Sequence, residues 1–193
     1  MKRNIKDDKS YFLTMTTIQW IDFFTRPNLK NVIVDSLNYA VENKGLNIFA
    51  WVLMSNHLHL LANTHDNVKL SDVVRDFKKF TCKKIVDEII TQKDSRRDWL
   101  IDKIEFNARI SPKNEMFKVW QDGNHAIEIY SEDFTWQKLN YIHQNPVRAQ
   151  IVEKKEDYLH SSARNYHGIP GLVKVECLTP PVMHLGKPGF FRV

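Results

Sequence analysis

An α+β fold, a ferredoxin-like or RRM-like sandwich with a four- to five-stranded antiparallel sheet packed against helices, follows from three observations on this 193-residue chain. Stretches rich in β-branched and aromatic residues alternate with stretches whose apolar residues recur at helical spacing, in the order strand, helix, strand, strand, helix, strand, helix. Two of the strands are separated only by Ser55-Asn56, a break that suits an antiparallel hairpin. The longest apolar run, from Ile48 to Met54, is a core strand and far too short to cross a bilayer.

Tyr11 to Trp20 reads as the first strand, with Thr14, Thr16 and Ile18 on one face. Beyond the turn-like Arg26-Pro27-Asn28, the spacing of Leu29, Val32, Ile33, Leu37, Ala40 and Val41 predicts a helix to Asn43, closed by Gly45. Leu46 to Met54 and Leu58 to Asn63 form the hairpin. Leu70 to Ile90 is a second helix, with Ser71 as cap and a stripe of Val73, Val74, Phe77, Phe80, Ile85, Val86 and Ile89.

From Thr91 to Met116 the chain becomes charged, and the alternation around Ile104 and Phe106 points to an insertion folded as a small hairpin. Phe117 to Ile129, kinked near Gly123, is the expected fourth strand. Ser131 or Asp133 opens a third helix through Asn145, and Pro146 marks or kinks its end. Tyr158 to Tyr166 is a short packing element. The organisation expected is one domain over residues 1–167, containing the insertion 91–116, and a loosely ordered tail over 168–193 that holds four of the seven prolines.

Composition sets bounds on function. Two cysteines without metal-type spacing, Cys82 and Cys177, and a charged N-terminus without an apolar run behind it point to a soluble protein of the reducing cytoplasm, with no membrane partner. A net charge of +5, from 28 basic and 23 acidic residues, permits a nucleic-acid partner without requiring one.

Chemistry concentrates in two places. In Asn56-His57-Leu58-His59-Leu60 the period of a strand puts both imidazoles on one face and both leucines on the other. Two neutral imidazoles on a rigid strand suit a divalent cation or the oxygens of a phosphodiester, although a half-exposed strand also carries such pairs by chance. Far downstream, Tyr141 and Asn145 stand one helical turn apart on one face, away from Trp136, Leu139 and Ile142. His143 falls near that apolar stripe and packs or bonds locally. A phenol is a weak nucleophile at neutral pH and needs a cation to polarise a phosphoryl target.

The motifs Val52-Leu-Met-Ser-Asn-His57-Leu-His59-Leu-Leu61 and Tyr141-Ile-His-Gln-Asn-Pro-Val-Arg-Ala149 together resemble the single-tyrosine HUH transposases, and among them the REP-associated tyrosine transposases. The resemblance runs from about Tyr11 to Tyr166 and is supported by Phe77-Lys-Lys, Val119-Trp-Gln-Asp-Gly and Ser161-Ser-Ala-Arg-Asn-Tyr166. It implies that His57, His59 and Asn145 bind Mg2+ or Mn2+ and that Tyr141 is the nucleophile. It further implies that the enzyme cuts single-stranded or hairpin DNA, leaving a 5′-phosphotyrosine and a free 3′-hydroxyl. A phosphodiester exchanged for a phosphotyrosine ester can be exchanged back, so cutting and rejoining use one site. Ser55 and Gln150 stand where the family often has proline and glycine, and the stretch 91–116 is longer than its usual connection.

Arg75, Lys78, Lys79, Lys83 and Arg148 are candidate contacts to the DNA backbone, with a solvated helix face as the plain alternative for those on the second helix. The competing function is a domesticated, non-catalytic hairpin DNA- or RNA-binding module of the same fold. A two-histidine phosphoesterase would need a pair of His-X-Thr or His-X-Ser motifs, and this chain has a single one, His160-Ser161-Ser162. The protein is expected to act as a monomer or homodimer.

Overall fold

The computed structural model describes residues 9–65, 67–91, 95–113 and 115–179. Its elements are β1 (Tyr11–Thr16), α1 (Pro27–Asn43), β2 (Leu46–Leu53), β3 (His57–Thr64), α2 (Leu70–Thr91), α3 (Arg97–Arg109), β4 (Ile127–Glu128), α4 (Glu132–Arg148) and α5 (Ala163–Tyr166). The strands form one antiparallel sheet in the order β2-β3-β1-β4. Because β1 and β2 both run antiparallel to β3, they are parallel to one another, and α1 is the crossover between them. This is the ferredoxin-like order that the element pattern predicts.

Side-chain alternation divides the strands between two layers. Tyr11, Leu13 and Met15 of β1 and Leu58, Leu60 and Ala62 of β3 join the core built with α1, α2 and α3. Phe12 and Leu61 turn the other way, into a smaller cluster with Leu139 and Ile142 of α4. The β2–β3 register shifts between Ile48 and Ala50, a bulge that places Phe49 and Ala50 together on the α4 side while Trp51 and Leu53 stay with the main core.

Several expectations are corrected. β1 ends at Thr16, because Gln19 and Trp20 adopt left-handed backbone conformations (φ 49° and 57°) that no strand continues through. Ile18 therefore enters the main core instead of sharing a face with Thr14 and Thr16. Residues 97–109 are a helix and no hairpin: Leu100, Ile104 and Ala108, spaced by one helical turn, are its buried positions. The fourth strand shrinks to Ile127–Glu128, with an isolated bridge from Trp120 to Thr17, because Gly123 (φ 79°) and His125 (φ 38°) interrupt it. Ser71 lies inside the first turn of α2, and Phe80 points outward while Thr81 takes the buried place and accepts a bond from Trp120 Nε1. Ser131 is the cap of α4, accepting from the Phe134 amide, and the helix continues past Pro146 to Arg148.

Residues 168–179 are pinned, contrary to a loose tail. Val173 is buried in the main core, the Glu176 amide donates to the Ile48 carbonyl, and Asn38 bonds both Leu172 and Lys174. Residues 180–193 lie outside the described part. The free side of β2 is covered as well: Leu53 donates to the His160 carbonyl, Ser162 donates to the Trp51 carbonyl, and Ser161 bridges Val52.

Candidate active site

The site lies on the α4 side of the sheet. Since Leu58 and Leu60 are buried in the opposite layer, His57 and His59 necessarily project toward α4, their ring centroids 4.7 Å apart. The β1–β3 register sets Thr16 across from His57 and Thr14 across from His59. Thr14 Oγ1 lies 2.8 Å from His59 Nδ1, and Phe12 stacks on the His59 ring at 5.2 Å.

The tautomer of His57 follows from its neighbour. Asn56 Nδ2 donates to the Trp20 carbonyl at 3.2 Å and to Asp22 Oδ1 at 3.1 Å, so its amide oxygen is the atom 2.7 Å from His57 Nδ1. His57 therefore carries its proton on Nδ1 and presents the Nε2 lone pair. Burial lowers the pKa of His57, opposed by a side-chain bond with Asn145. Burial, then the proximity of His57, hold His59 down at about 3; Lys138 adds to the shift and a bond to the Leu13 backbone opposes it. Both rings are neutral at physiological pH, the state a metal ion requires.

α4 delivers the other half. Leu139 and Ile142, 5% and 0% exposed, seat it on β2 and β3, and burying each contributes about 1.5–3 kcal/mol. With that face fixed, Lys138, Tyr141, Asn145 and Arg148, at intervals of three, four and three residues, share one side of the helix. The Tyr141 ring centroid lies 5.4 Å from that of His59 and 5.8 Å from that of Phe12, both edge-on. Lys138 Nζ sits 4.9 Å from the Phe12 centroid, 5.0 Å from Phe134 and 5.9 Å from Tyr141, while the Arg148 guanidinium is 5.4 Å from the Tyr141 ring. The phenol is thus flanked by two cations.

His57, His59, Tyr141, Asn145 and Arg148 thus come together in one chain. Arg75, Lys79 and Lys83 do not join them, because α2 packs in the opposite layer. Arg75 pairs there with Asp72 and Asp76. The Lys78 ammonium donates to the carbonyls of Gln121 and Gly123 at 2.6 Å each, and burial, aided by Lys113, brings its pKa down to about 8. His143 is buried, with Nε2 2.9 Å from Ser162 Oγ, as its place near the apolar stripe predicts.

Sequence reasoning missed Phe12, Thr14, Asn56 and Lys138. Lys138 was accessible, being three residues before Tyr141 on a helix. Thr14 and Phe12 required the β1–β3 register, which no local pattern encodes.

Residues 7–100 match the family described as IS200-like transposase, Y1_Tnp. A solved REP-associated tyrosine transposase bound to a REP hairpin superposes with a TM-score of 0.59 at 16% identity, covering 94% of each chain. A putative transposase from Deinococcus radiodurans R1 gives a TM-score of 0.43 at 18% identity, covering 75% of this chain and 96% of that one. No curated protein matches the chain. Among the described residues no helix is long and apolar enough to cross a membrane. Residues 7–100 are thus similar in sequence to the IS200-like transposases, and the chain as a whole shares the fold of a REP-associated tyrosine transposase.

Proposed function

We propose that this protein cuts and rejoins single-stranded DNA through Tyr141, at hairpins or the unpaired segments beside them. One observation carries the reading: the Tyr141 ring stands 5.4 Å from His59, on the same face as both imidazoles and within a single chain. The similarity of residues 7–100 to IS200-like transposases supports DNA strand transfer as the reaction class, and the hairpin bound by the fold relative supports the substrate type.

The residues fit a divalent ion, Mg2+ or Mn2+. His57 offers Nε2, His59 has its Nδ1 engaged by Thr14, and the Asn145 carboxamide adjoins His57. The Asn145 carboxamide, bonded to His57, would add an oxygen donor as third ligand. When bound, such an ion polarises the phosphoryl oxygens and leaves coordination positions open to them.

The chain's own residues do the rest. The Tyr141 oxygen forms a bond to phosphorus as the bond to the 3′ oxygen breaks; the proton lost by the phenol is balanced by the one gained by the 3′-hydroxyl. Lys138 and Arg148 offset negative charge on the phosphate, and Phe12 holds His59 and Tyr141 in their mutual orientation. Reversal onto another 3′-hydroxyl rejoins the strand.

Labelled hairpin DNA with single-stranded extensions, incubated with the protein and Mn2+, should yield an adduct that survives denaturing gel electrophoresis. Tyr141→Phe should abolish it and leave binding intact. Binding by the native chain with no adduct across a broad substrate panel would instead establish a non-catalytic module.

A further inference from the structure

We propose that Trp20 is the stacking platform for an unpaired base of the strand that enters the site on its His57 side, an inference that rests on the DNA-strand reading above. Trp20 is 60% exposed, and its ring centroid lies 6.3 Å from that of His57. The two rings meet at 71°, so they do not stack on one another. A broad apolar surface is thereby left open at the edge of the reacting centre.

The backbone that holds it is unusual. Gln19 and Trp20 are consecutive left-handed residues without being glycine, a conformation that bulky side chains avoid. Its surroundings enforce it. Thr17 and Ile18 before the turn and Ile21 after it are buried; Thr17 Oγ1 donates to the carbonyls of Ile21 and Asn56, and Gln121 Nε2 donates to the Thr17 carbonyl. Arg96 ties the following loop, donating to the Asp22 carbonyl and to Thr25 Oγ1. The strain therefore serves to hold an exposed indole at a fixed place.

Asn56 joins this place to the chemistry, since it grips the Trp20 carbonyl with one end and His57 Nδ1 with the other. A nucleobase is the occupant that fits. It matches a flat apolar ring, it is present wherever a single strand crosses the site, and stacking of this kind is tolerant of base identity. A phosphate fits poorly, because the Asp22 carboxylate lies beside the same turn.

The test separates binding from cutting by using the full chain in the Tyr141→Phe background. Fluorescent DNA hairpins with and without a single-stranded extension are titrated against Trp20→Asn, which tolerates the left-handed backbone, and Trp20→Tyr, which restores an aromatic ring. Trp20→Asn should weaken binding of the extended hairpin about tenfold and Trp20→Tyr much less, with the unextended hairpin unaffected. Abasic replacement along the extension should find one position that weakens the Trp20 chain by a similar factor and leaves Trp20→Asn indifferent. Equal affinity of Trp20→Asn and its parent for the extended hairpin, or equal sensitivity of both to every abasic position, overturns the proposal. Absence of DNA binding altogether overturns both this inference and the function it rests on. Binding that depends on Trp20, without adduct from the native chain, sustains the platform and removes only the cleavage.

Discussion

At the scale of single residues, the site depends on a few side chains whose freedom is removed by their neighbours. His57 is set by Asn56, His59 by Thr14 and Phe12, and Tyr141 by the helix face it shares with Lys138 and Arg148. Lys138 is the informative one. Its ammonium rests among three aromatic rings, one of them the proposed nucleophile, and contributes to keeping His59 neutral. Replacing it with methionine preserves the bulk over Phe12 and removes the charge. Single-turnover adduct formation should slow on the order of tenfold, with Lys138→Arg recovering most of the loss; an unchanged rate in Lys138→Met would exclude Lys138 from charge stabilisation. The two histidines were legible in the sequence because a strand's period of two leaves no choice about which side they share. Their partners on β1 were not, since register is a property of two strands and appears in neither alone.

At the scale of elements, the reading of residues 91–116 shows how one periodicity hides another. Ile104 and Phe106 alternate as in a strand, but Leu100, Ile104 and Ala108 repeat every fourth residue, and the core took that second pattern. Phe106 stays 47% exposed, so its alternation with Ile104 was uninformative. If α3 is an integral part of the main core, Ile104→Ala should cost about 2–5 kcal/mol in denaturant unfolding, whereas Phe106→Ala should cost far less. Similar losses at the two positions would contradict the helix orientation. In α4 the buried Leu139 and Ile142 and the side carrying Tyr141 and Asn145 follow from 3.6-residue spacing, whereas the choice of Ser131 over Asp133 as cap does not. Pro146 lies within the last turn, where it forgoes the single amide bond to the Ile142 carbonyl, and the helix ends two residues later at Arg148.

At the scale of the whole molecule, burial of neutral histidines makes folding sensitive to acid. His59 and His143 are held at about 3 and His160 at about 4, burial being the leading cause in each. An unfolded chain protonates these rings near pH 6.5, while the folded chain does so only well below that. Their contribution is therefore complete above pH 6.5 and declines as pH falls toward 3 to 4. For the buried His143 the expected loss between neutrality and pH 5 is about 2 kcal/mol. Stability measured by urea unfolding should drop across this range, and the slope should flatten in His143→Gln; a pH-independent midpoint in the native chain would refute the assignment.

One margin of the sheet is sealed by residues 160–162 and Glu176, and the other offers only the two residues of β4. Among the described residues, ribbon-to-ribbon joining of two copies thus has almost no template. On α3, Trp99 and Phe106 stand in the open, as does Ile110 just past its end. A molecule so finished at its rims is fitted to meet its partners with its broad faces, where the histidines and the tyrosine also lie.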